Sequence, residues 1–188
     1  MSKPFVTFVL AALLGAAGAG CSRDKSGAAS TAASATVSAA APGPLSAGAP
    51  APDVTFALHT GEKLSLASLR GKPVVVYFYP KDDTPGCTIE AQEIRDLYEE
   101  LKRTGAVVVG VSTDAQDSHR AFAEKHALPF LLASDESGDI AKAFGVPLKN
   151  GRMTRVSFVI GADGRIKRTF PQVTPKGHAA ELLQAISS

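Results

Sequence analysis

The chain has 188 residues, is 45% hydrophobic and carries a formal charge of +2. That is enough apolar material for one ordinary domain with its own core, and the near-neutral balance with no dense basic patch gives nucleic-acid binding no support. The two cysteines, Cys21 and Cys87, form neither a disulfide framework nor a zinc site, and no CxxC pair exists.

Lys3 precedes an apolar and small-residue run, Phe5–Gly20, that ends at Cys21. A basic start, an apolar middle and a small-residue end read as an export signal over residues 1–20. At sixteen residues the run is short for a membrane span. The residues before Cys21 resemble the lipobox of bacterial lipoproteins, in which the cysteine is lipidated. Gly18 departs from it, because that pattern has a bulky aliphatic residue three positions before the cysteine. Ordinary signal cleavage is the alternative. Residues 21–50 are nearly all Ala, Ser, Gly, Thr and Pro, too poor in bulky apolar side chains to offset chain entropy, so a flexible tether is expected. An Ala-rich helix competes with that reading, but the scattered Gly and Pro oppose it.

The folded domain is expected over residues 51–188. Thr55–Leu58 and Leu64–Leu66 read as a hairpin. Pro73–Phe78 is a continuous apolar run suited to a strand buried on both faces. After a polar turn, Ile94, Leu97, Tyr98 and Leu101 mark one face of a helix that Gly105 ends. Thr84 is a candidate N-cap and Pro85 suits the first helical position, so Cys87 falls in the first turn. There a thiolate gains from free backbone N–H groups and the positive end of the helix dipole. A buried, inert cysteine is the alternative.

Ala106–Ser112 is a second buried strand, Asp114–His126 a polar helix with Phe122 inward, and Phe130–Leu132 a short strand. Asp135–Phe144 is a helix closed by Gly145. Arg155–Ile160 and Arg165–Phe170 flank a turn as antiparallel neighbours, and Pro175–Ile186 is a final amphipathic helix. This alternation implies an α/β fold: a mixed central sheet with helices on both faces, thioredoxin-like in its order. His59, His119, His126 and His178 lie in polar segments and are expected at the surface.

The spacing Pro80-x-x-x-Thr84-x-x-Cys87 resembles the peroxidatic-cysteine motif of the peroxiredoxins, and the stretch Tyr77–Ala91 looks like their bacterioferritin-comigratory (PrxQ) branch. The likeness covers about residues 50–188. It implies a thiol-dependent peroxidase that reduces hydrogen peroxide and organic hydroperoxides through a sulfenic acid at Cys87, with no metal, flavin or haem. The resemblance assigns Thr84 to hydrogen-bonding the thiolate and the peroxide, Pro80 to shielding the sulfur, and Arg155 to pairing with the thiolate; Arg152 is the rival arginine. Tyr79 and Glu90 match an aromatic and a carboxylate near the pocket, and either could equally be structural. Many members of the branch carry a resolving cysteine five residues after the first; here that residue is Gln92. A one-cysteine cycle closed by an external thiol, from a thioredoxin-like protein or a small molecule, is therefore expected. The whole chain then reads as an exported enzyme on the periplasmic face of a bacterial membrane, lipid-anchored through Cys21, monomeric or weakly dimeric. A peroxide sensor and a non-catalytic tethered interaction module are the alternatives.

Overall fold

The computed structural model describes residues 43–188. The expected export signal, Cys21 and the tether up to residue 42 lie outside the described residues.

Seven strands make one mixed sheet. They are β1 (Thr55–Leu58), β2 (Lys63–Ser65), β3 (Val74–Phe78), β4 (Val107–Ser112), β5 (Leu131–Ser134), β8 (Val156–Ile160) and β9 (Ile166–Phe170), in the spatial order β2-β1-β5-β4-β3-β8-β9. The short pair β6 (Leu148–Lys149) and β7 (Arg152–Met153) forms a separate hairpin that the sequence pattern does not signal. At the centre, β3 runs parallel to β4 and antiparallel to β8, with Val76 opposite both Val109 and Phe158. All five residues of β3 are buried, as a continuous apolar strand between two helical layers should be.

Side-chain alternation divides the interior into two cores. Val75, Tyr77, Tyr79, Val108 and Leu132 meet helices α1 (Pro85–Asp96), α2 (Tyr98–Arg103), α3 (Gln116–His126) and α5 (His178–Ser187) on one face. Val74, Val76, Phe78, Val109 and Val111 meet α4 (Asp139–Ala143) on the other. The thioredoxin-like arrangement with helices on both faces is thus present. Gly110 is required where it stands: a Cβ there would come 2.6 Å from the Tyr77 hydroxyl oxygen and 2.8 Å from Leu132 Cδ2.

Several boundaries differ from expectation for identifiable reasons. The helix after Cys87 bends at Leu97 (φ −98°, ψ 7°), which separates α1 from α2; no proline or glycine explains the bend. Asp135 stays outside α4 and accepts hydrogen bonds from the N–H groups of Ile140 and Ala141 at 3.2 and 2.9 Å, capping that helix from a turn. Gly177, at φ 87°, defers α5 to His178. The ordered domain also begins before residue 51. Leu45 N donates to Phe144 O (3.1 Å), Gly48 N to Ile166 O (2.8 Å) and Ile166 N to Ala49 O (2.8 Å). The bonds of Gly48 and Ala49 cover the start of the β9 edge at Ile166, while Leu45 is tied to the end of α4. Composition misses this, because backbone pairing does not depend on bulky side chains.

Two of the four histidines are not at the surface: His119 and His178 are fully buried. Each is tolerated inside because a hydrogen-bond partner meets it there, Asp82 for His119 and Ser157 for His178.

Candidate active site

The loop from β3 to α1 delivers the chemistry. Thr84 has the extended backbone of an N-cap (φ −82°, ψ 148°) and Pro85 takes the first helical position. Cys87 follows in the first turn and is 2% exposed. Its sulfur accepts a hydrogen bond from Arg155 Nη2 at 3.2 Å. The other arm of the same guanidinium, Nη1, is ion-paired with Glu90 Oε2. One planar fork therefore spans the thiol and a carboxylate one turn further along α1, a geometry that lysine could not reproduce. Gly86 lies alongside the fork, where a Cβ would stand in ordinary contact with Arg155 Nη2 at 3.4 Å.

Glu90 is fully buried, and its Oε1 has no partner among the described residues. Burial pushes its carboxyl up to about 7, against the pull of Arg155. Burial acts against the charged form of Arg155 too, but Glu90 and Cys87 outweigh it and leave the guanidinium more firmly protonated than usual. Arg152 is exposed on β7 and has no bond to the sulfur.

The remaining residues singled out from the sequence fall around this centre. Pro80 is half-buried where the chain leaves β3. The Thr84 hydroxyl donates to Lys81 O at 3.0 Å and not to the sulfur. Tyr79 is buried beneath the loop, stacked on Tyr77 with ring centroids 5.4 Å apart, and its hydroxyl donates to Asp82 Oδ1 at 2.8 Å. Neither Tyr79 nor Glu90 lines the nearby groove. That groove, about 530 Å³ and open to solvent, is walled by Pro44, Pro147, Pro171 and Val173, with Arg155 and Lys149 contributing charge.

The sequence pattern does not bring together the polar residues behind the loop, Asp82, Ser118 and His119, the last of them expected at the surface. The double acid in Lys81-Asp82-Asp83 was the available signal. Two adjacent carboxylates in one turn hold different environments, Asp82 buried and Asp83 exposed with a left-handed φ of 56°. Gln92 is half-buried, with Nε2 3.3 Å from His126 Nδ1. Cys87 is the one cysteine among the described residues.

A mixed sheet of this order, with a guanidinium-bound cysteine at the start of the helix after its central strand, defines a thioredoxin-like protein built for thiol chemistry. Residues 47–169 match the AhpC/TSA family. The peroxiredoxin Bcp of Bacillus subtilis is 43% identical over 143 residues, covering 72% of this chain and 91% of that protein. The chloroplastic peroxiredoxin Q of Sedum lineare is 44% identical over 140 residues, covering 73% and 75%. Among solved structures, the bacterioferritin comigratory protein of Xanthomonas campestris, described for its alkyl peroxide reduction activity, superposes with a TM-score of 0.71 at 32% identity, over 75% of this chain and 97% of that one. The chain belongs to the AhpC/TSA family, in the bacterioferritin-comigratory (PrxQ) branch of the peroxiredoxins, which are thiol-dependent peroxidases.

Proposed function

We propose that Cys87 is the peroxidatic residue, that Arg155 is its electrostatic partner, and that the cycle is of the one-cysteine type. The observation that carries this is the 3.2 Å hydrogen bond from Arg155 Nη2 to Cys87 Sγ. The bond sets a permanent cation beside the sulfur, and the thiolate is the form that attacks. The thiolate displaces at the distal peroxide oxygen: an S–O bond forms, the O–O bond breaks, and the leaving oxygen departs as alkoxide or hydroxide. That anion takes up the proton released when the thiol ionised, giving alcohol or water and a sulfenic acid at Cys87. Arg155 faces the charge that develops on the leaving oxygen. Thr84 spends its hydroxyl hydrogen on Lys81 O and so meets an incoming peroxide as an acceptor for the peroxide O–H. Pro80 keeps water from the sulfur.

A first external thiol then condenses with the sulfenic acid, releasing water and leaving a mixed disulfide. A second thiol cleaves that disulfide and restores Cys87. The external route is supported by the polar Gln92, bound to His126, at the position five residues after Cys87. The groove walled by prolines and Val173 beside Arg155 suits organic hydroperoxides as well as hydrogen peroxide, and the alkyl peroxide reduction described for the Xanthomonas protein supports the same reading. The Phe5–Gly20 run ending at Cys21 supports export and a lipid anchor at the periplasmic face of a membrane.

The test is peroxide consumption by the full chain with thioredoxin, glutathione or dithiothreitol as the donor, beside Cys87→Ser. Turnover in the parent and none in the variant is expected; turnover surviving in the variant removes Cys87 from the role. After a peroxide pulse, mass spectrometry should find a trappable sulfenic acid at Cys87. A Cys21–Cys87 disulfide as the main product would end the one-cysteine assignment.

A further inference from the structure

Behind the reactive loop lies a buried polar cluster that the reaction as described leaves unused. The Asp82 side chain accepts from Tyr79 Oη at 2.8 Å, Ser118 Oγ at 2.7 Å and His119 Nδ1 at 2.9 Å. Asp82 is 6% exposed and His119 is fully buried. His119 Nε2 has no partner among the described residues, so the ring proton that matters is the one on Nδ1, facing the carboxylate. The backbone N–H of Asp82 donates to Asp114 Oδ2 at 2.9 Å, and that oxygen also accepts from Ser112 Oγ at 2.8 Å. Burial works to raise the Asp82 carboxyl, but hydrogen bonds from His119, Ser118 and Tyr79 outweigh it and hold the group below the usual carboxylate range. A buried carboxylate with this many donors is a fixed point.

Its place in the chain gives that fixed point a use. Asp82 sits midway between Pro80 and Thr84, and its neighbours Lys81 and Asp83 are exposed. No strand or helix holds this turn. Side-chain bonds hold it instead: Asp82 takes its donors from α3 and the end of β3, and Asp83 Oδ1 meets Lys125 Nζ and His126 Nε2, each at 2.9 Å; of the two carboxylates only Asp82 is buried. We infer that Asp82 and His119 are positioning residues for the peroxidase reaction: their pairing sets where Pro80 and Thr84 stand relative to the Cys87 sulfur. The reactive geometry is demanding, since a displacement of ~1 Å can cost about 10²-fold in rate. Loosening Asp82 removes the buried one of the turn's two anchors, between Pro80 and Thr84.

This inference rests on the peroxidase reading above, and the experiment separates the two. In a full-length Cys21→Ser background, the second-order rate constant for a single oxidation of Cys87 by hydrogen peroxide is compared among the parent, His119→Leu and His119→Asn. The asparagine amide stands where Nδ1 does and restores the donor. Alkylation by iodoacetamide is measured in parallel, because it needs a reachable thiolate but not the peroxide geometry. The leucine variant should lose about 10- to 100-fold with peroxide while its alkylation rate is unchanged, and the asparagine variant should recover most of the loss. An undiminished peroxide rate in the leucine variant overturns the inference, as does a parallel change in both reactions. If the leucine variant does not fold, Tyr79→Phe and Ser118→Ala each remove one donor, and graded losses with peroxide alone are expected; no loss in either overturns the inference. A parent chain that fails to react with peroxide overturns the peroxidase reading itself.

Discussion

Arg155 Nη2 stands 3.2 Å from Cys87 Sγ although 68 residues of chain separate the two. The contact follows from strand register. Phe78, the last residue of β3, lies opposite Val156, the first of β8, so Arg155 emerges beside the loop that carries Cys87. Replacing Arg155 by Met should slow the oxidation of Cys87 by peroxide by about 10²–10³-fold, the scale seen when one donor to a developing anion is removed. Arg155→Lys keeps the charge but not the fork and should recover only part of the rate. Arg152→Gln should leave it unchanged. Stopped-flow oxidation of the three variants checks this, and equal losses at both arginines would contradict the geometry.

Glu90 makes stability depend on pH. Its carboxyl is raised from 4.5 to about 7 in the folded protein, so between those values the folded chain binds the proton that the unfolded chain has released. Its contribution to stability is complete below the unfolded value and is lost as pH rises through about 7. Urea unfolding should therefore show a decline across that window on the order of 3 kcal/mol. Glu90→Gln, which cannot titrate, should flatten the decline; an unchanged slope would place its origin elsewhere.

The interior at Gly110 has no spare volume. In Gly110→Ala the new methyl group would meet the Tyr77 hydroxyl oxygen at 2.6 Å and Leu132 Cδ2 at 2.8 Å, and both side chains are buried. A loss of about 1–3 kcal/mol is expected, read as a lower Tm.

His178 bonds Ser157 Oγ at 2.9 Å through Nε2 and Glu181 at 2.9 Å through Nδ1. His178→Leu leaves a buried hydroxyl unpaired and should cost about 1–3 kcal/mol. Glu181, 59% exposed at its side chain, should cost within about 0.5 kcal/mol when changed to Gln. Burial holds His178 below its ordinary value despite Glu181. Its contribution is therefore present above the unfolded histidine value and lost as pH falls through the folded one. Thermal melts of both variants from neutral to mildly acid pH test the pair, and similar losses at the two positions would refute the assignment.

Much of the architecture is legible along the chain because it is written in contiguous patterns. The apolar run of β3, the Thr84-Pro85 start of α1 and the alternation of strands and helices each depend on neighbours within a few residues. Boundaries were less legible where a distant partner intervened. Asp135 looks like part of a helix until its carboxylate is seen capping α4. Residues 45–50 look like tether until Phe144 and Ile166 supply backbone partners to Leu45, Gly48 and Ala49. His119 and His178 look like surface residues because periodicity cannot report a hydrogen bond to Asp82 or Ser157, which lie 37 and 21 residues away.

Local sequence was sufficient to set the cysteine at a helix start after a buried strand, since both elements form from their own residues and meet across one short turn. Which arginine faces the sulfur, which oxygen receives the Thr84 hydrogen and which acid is buried were settled by folding. The Thr84 bond to Lys81 is a matter of how one turn closes; the other two join segments far apart in the chain, and only the pairing of β3 with β8 and the packing of α3 against the loop bring their atoms within hydrogen-bond reach.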